Sequence, residues 1–93
     1  MTSPTRRALA SAKKKEPRVQ LAIGQRVKAA RHLAGMTQRQ VSEAAGIEFR
    51  RYRRLEAGAV NPTVRTLLRV AEAMQLNLWR LLDLRRYRAT RRR

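Results

Sequence analysis

"MTQRQVSEAAGIEFRRYRRLEAG", residues 36–58, is the stretch whose reading decides the fold. Thr37 followed three residues later by Gln40 is a capping box, in which each side chain satisfies an orphan amide at a helix start. Val41, Ala44 and Ala45 are expected to form the inner face of that helix, and Gly46 ends it after barely two turns. A second helix is expected over 48–56, with Tyr52 and Leu55 turned inward and Gly58 stopping it. The joint between the two is a tight Ala45-Gly46-Ile47 turn, and small residues such as Ser42 let the helices approach closely.

Outward from this pair the chain reads as further short helices. Upstream, in "LAIGQRVKAARHLAG" (21–35), Ile23, Val27, Ala30 and Leu33 or Ala34 recur at spacings of three to four, the stripe of an amphipathic helix ended by Gly35. Downstream, "NPTVRTLLRVAEAM" (61–74) has Pro62 at its start, Thr63 as a cap, and Val64, Leu67, Leu68, Ala71 and Met74 facing the core. "QLNLWRLLDL" (75–84) offers Asn77 as a cap and Leu78, Leu81 and Leu82 as an apolar side. No stretch alternates with period two, so a sheet is not expected. The expected fold is all-α, a compact bundle of five short helices with helices 2 and 3 forming a helix-turn-helix. In that motif the second helix enters the major groove of DNA.

Charge points the same way. Twenty-three Lys and Arg against six Asp and Glu give a net +17, which bears on partners and favours a polyanion. Residues 1–20 hold +5 and read as a flexible basic arm; residues 85–93 hold +6 and read as a basic tail; the domain is expected over 21–84, also +6. There is no cysteine and one histidine, His32, expected on a helix surface. Neither a metal site nor a cofactor is expected. With no carboxylate pair and no Gly-rich phosphate loop, an enzyme is not expected either. No apolar run approaches the ~20 residues that span a membrane. The expected location is the cytoplasm of a bacterium, or of a phage host, in association with the nucleoid.

Taken together, "R-x-x-x-G-M-T-Q" (31–38), "A-A-G-I" (44–47), "R-L-E-A-G" (54–58), "N-P-T" (61–63) and "L-L-x-V-A-x-A-M" (67–74) carry a resemblance. The segment from Ile23 to Asp83 resembles the phage repressor/Cro, or XRE-type, helix-turn-helix domain without a gap. The resemblance implies that Gln38, Phe49, Arg50 and Arg54 contact bases; Gln38 stands at a helix N-terminus that also suits phosphate, and the alternative for Phe49 is packing against the neighbouring helix. An arginine can grip guanine bidentately, and an apolar ring suits a thymine methyl. Arg39, Arg51, Arg53 and Asn61 are expected at phosphates. Arg31 and Glu56 match an ion pair that ties the first helix to the end of the third. Two positions depart from the pattern. Glu48 stands where Ser or Thr usually caps the recognition helix, and Gln75 stands where glycine is common.

These readings lead to a sequence-specific regulator of transcription on double-stranded DNA, a repressor acting as a homodimer. Trp79 is expected at the dimer contact, because Leu78, Leu81 and Leu82 already fill the inward side of the last helix. A competing expectation is an antitoxin or adaptor whose tails or last helix grip a protein partner, with DNA binding kept for autoregulation. A third is an architectural or RNA-associated basic protein. The tails are expected to bind phosphates without sequence preference, or to enter a minor groove as disordered arms.

Overall fold

In a computed structural model, residues 5–83 are described, and they form helices α1 (Arg6–Leu33), α2 (Gln38–Ala45), α3 (Phe49–Glu56), α4 (Val64–Ala73) and α5 (Leu78–Leu81). The expected basic tail at 85–93 lies outside the described residues. Local chemistry sets the helix starts. Thr37 Oγ1 accepts from Gln40 N at 3.0 Å while Gln40 Oε1 accepts from Thr37 N at 2.9 Å, completing the capping box. Thr63 caps α4 through Thr66 N at 3.1 Å, and Asn77 caps α5 through Arg80 N at 2.9 Å. Gly46 ends α2 in the left-handed region at φ 68, which lets the chain turn sharply into α3.

The first helix differs from the expectation. Residues 6–20 are not an irregular arm but the leading half of α1, a helix of 28 residues. Thr5 caps it by accepting from Ala8 N at 3.1 Å, and the Ala, Leu and Lys residues that follow are good helix formers. The helix runs on through Pro17. What the segment lacks is anything to bury, and residues 5–18 are exposed throughout.

The core is built where the helices cross. Val27 and Ala30 of α1 meet Val41 and Ala45 of α2, Tyr52 and Leu55 of α3, Leu67, Val70 and Ala71 of α4, Met74 and Leu81. The inward stripes shift slightly from those expected: Leu33, Ala44, Val64 and Leu68 are exposed, whereas Val70 is buried. In α1, Gly24 lies against the end of α3. A Cβ on it would stand 2.6 Å from the carbonyl oxygens of Leu55 and Glu56. Two residues on, Arg26 donates to the carbonyls of Arg80 (3.1 Å) and Leu81 (3.4 Å), holding the C-terminus of α5. Gln75 adopts φ 58, so the turn before α5 keeps the left-handed geometry that glycine would supply without strain.

Candidate nucleic-acid interface

The candidate surface begins with α3, whose two sides have opposite character. Tyr52, Leu55 and Glu56 are buried, and Arg50, Arg51, Arg53 and Arg54 are exposed. At ~100° per residue, the buried trio covers one arc and Arg50 and Arg54 point away from its centre. Arg51 falls on one flank, bordering the same small crevice as Asn61 and Pro62 of the following loop. Phe49 and Arg53 fall on the other flank, towards α2. There the half-buried Phe49 ring lies 4.1 Å from the Arg39 guanidinium and 5.8 Å from that of Arg53. The ring thus packs under two cations, an arrangement that restrains both side chains.

Glu56 anchors this helix from beneath. Its carboxylate accepts from Arg31 Nε at 2.6 Å, Arg31 Nη2 at 3.2 Å, Gln38 Nε2 at 3.0 Å and Tyr52 OH at 2.5 Å. Arg31 also donates to the Met36 carbonyl at 3.0 Å, and its Nη2 lies 3.1 Å from Nε2 of His32, which is exposed. Burial pushes the Glu56 carboxyl up, but the bonds from Arg31, Tyr52 and Gln38 outweigh it and hold the group below its ordinary range. Burial, then the bond to Glu56, pushes the Tyr52 phenol well above its usual value. The bond to Glu56 also raises Arg31.

The structure therefore separates the expected site residues. Arg31 and Glu56 meet in the buried pair. Arg39, Arg50, Arg51, Arg53, Arg54 and Asn61 are exposed around α3. Gln38 is half-buried and one of its amide hydrogens is committed to Glu56, so its side chain supports the ion pair. Glu48 makes no side-chain hydrogen bond as the cap of α3. Trp79 is 81% exposed, on the far side of α5 from the buried Leu81. Sequence reasoning missed Gly24, Arg26 and the place of Tyr52 in the ion-pair network. An isolated glycine in a helical stripe was the available signal for the first.

The helix-turn-helix profile matches residues 27–78, more than half the chain. This protein belongs to the XRE-type helix-turn-helix family. As a member it is a DNA-binding transcription regulator. The shared segment includes α2, α3 and the ion pair, and begins after the exposed half of α1. Among solved structures the chain is similar to the restriction-modification controller protein C.AhdI from Aeromonas hydrophila. The TM-score is 0.65 at 22% identity, over 67% of this chain and 94% of that one, so the likeness is one of fold. No curated protein sequence matches the chain. Among the described residues, no group of His, Asp and Glu could hold a metal ion, and no helix is long and apolar enough to cross a membrane.

Proposed function

We propose that this XRE-type regulator is a sequence-specific repressor that reads the major groove with α3. The observation that carries the reading is the division of α3 into one buried arc and one arginine ridge. Arg50 and Arg54 project farthest from the core and are assigned to base edges, where each bidentate grip on guanine discriminates by about 1–3 kcal/mol. Arg51 with Asn61 on one flank, and Arg39 with Arg53 on the other, are assigned to the phosphates that border the groove. The Phe49 ring supports the second flank by holding its two cations, which favours packing over base contact for this residue. A homodimer suits the exposed Trp79, since a lone domain gains nothing by presenting an indole to water. The reading involves no catalysis.

The test is selection of bound sites from random duplexes, using the whole chain. Two related half-sites are expected to be enriched. Arg50→Ala or Arg54→Ala should then relax preference at one position per half-site, at a cost of about 1–3 kcal/mol. Arg39→Ala should instead weaken all sequences alike. Recovery of no motif from a protein that still binds DNA would sink the assignment.

A further inference from the structure

The leading half of α1 carries a dense run of positive charge on an exposed stretch of helix. Residues 6–18 contain Arg6, Arg7, Lys13, Lys14, Lys15 and Arg18 against one acid, Glu16. At ~100° per residue, Arg7 and Lys14 fall on a single line, with Arg6 and Lys15 to either side of it. Leu9, Ala12 and Val19 occupy the opposite arc, interrupted by Glu16. Basic residues near a helix N-terminus oppose the macrodipole, and the first turn has no acid to offset them. The ridge thus costs helix stability, and every position along it is exposed. Its chemistry fits a polyanion.

The position of the ridge selects the polyanion. Gly24 fixes α1 against the last carbonyls of α3, so the exposed half departs from the C-terminal end of that helix. At ~1.5 Å per residue, Lys14 lies ~15 Å and Arg6 ~27 Å along α1 from that crossing. On a duplex rising ~3.4 Å per pair, the span corresponds to ~4–8 base pairs. A membrane surface would need a broader apolar face than Leu9, Ala12 and Val19 provide. A partner helix would need that face uninterrupted over several heptads. Being helical, the segment is also too thick for the minor groove, with ~10–12 Å of helix against ~6 Å of groove.

We propose that the exposed half of α1 is a second phosphate-binding surface, a rigid basic lever that grips duplex DNA outside the segment read by α3. The inference rests on α3 being the recognition helix, and the test below keeps the two apart. The variant is Arg7→Ala/Lys14→Ala in the full chain. Alanine is the best helix former, so circular dichroism should show the helix retained. Binding is measured to random-sequence duplexes of about 8 and about 40 base pairs, across about 50–200 mM salt. On the long duplex, loss of two phosphate contacts lowers the salt slope by about 1.8, which narrows the wild-type advantage about twelve-fold over that range. On the short duplex, which α3 and its flanks fill, the two proteins should bind alike.

Unchanged slopes at both lengths would overturn the proposal. So would equal losses at both lengths, because the charges would then act only by general attraction. A Leu9→Ser variant that loses self-association, beside an unchanged DNA slope, would give the helix to a second copy of the chain instead. None of these measurements reads base preference. Failure of α3 as a reader would appear as an empty site selection, with the length-dependent slope intact.

Discussion

At the scale of single residues, Glu56 decides how the molecule responds to pH. Its carboxylate is ionised more readily in the folded chain than in the unfolded one, because three neighbouring side chains donate to it. A depressed folded value contributes stability that is complete above the unfolded value of about 4.3 and is lost as pH falls through the folded one. Tyr52 has the opposite sign. Its raised folded value contributes stability that is complete below about 10 and is lost as pH rises through the folded value. Urea midpoints should therefore stay level near neutrality and fall at both extremes. Glu56→Gln leaves Arg31 buried without its counter-charge and should cost about 3–5 kcal/mol at neutral pH. It should also flatten the acid limb. A variant whose midpoint falls with acid as steeply as the parent's would show that another group governs that limb. The pairing of Arg31 with Glu56 was legible through the resemblance in the sequence. The donations from Gln38 and Tyr52 were not, because a capping position and an inward-facing ring do not reveal how far a polar tip reaches.

At the scale of elements, the helix caps were the most legible features. Thr37, Thr63 and Asn77 act within three residues of themselves, so their signals are complete in local sequence. The start of α1 was not legible. Its first half has helix-forming composition but no partner surface, and Pro17 reads locally as a stop. The left-handed Gln75 shows a related limit, since packing imposes a turn for which its own residue is poorly suited. Gly24 makes the clearest case for an element-level prediction. Alanine would gain about 0.8–1.0 kcal/mol in helix propensity at that position. It would also place a Cβ 2.6 Å from two carbonyl oxygens and 2.9 Å from Gly58 N, all backbone atoms with little room to give. Overpacking of this kind costs about 1–3 kcal/mol, and the upper end applies when backbone must move. Gly24→Ala is therefore expected to lower stability by about 2 kcal/mol net and to tilt α1 against α3. A higher melting temperature for this variant would mean that the crossing is looser than its geometry indicates.

At the scale of the whole molecule, two interactions should respond to salt in opposite directions. The net charge of +17 makes two copies repel, while it draws either copy to DNA. The surface assigned to self-association is apolar. Trp79 and Leu68 border a hollow of about 290 Å³ on one side of Leu76, and Leu33, which is 91% exposed, borders one of about 300 Å³ on the other. Added salt screens the repulsion between copies without weakening apolar contact, so the sedimenting mass should shift towards the dimer as salt rises. DNA affinity should fall over the same range as counterion release loses its advantage. Trp79→Ala should weaken dimerisation by about 2 kcal/mol or more, roughly thirty-fold, as loss of a central aromatic contact does. It should abolish cooperative binding to paired half-sites while leaving affinity for an isolated half-site unchanged, because Trp79 lies on α5, away from the α3 ridge. Dimerisation that weakens with salt, or survives Trp79→Ala, would place the contact between copies on a charged surface elsewhere.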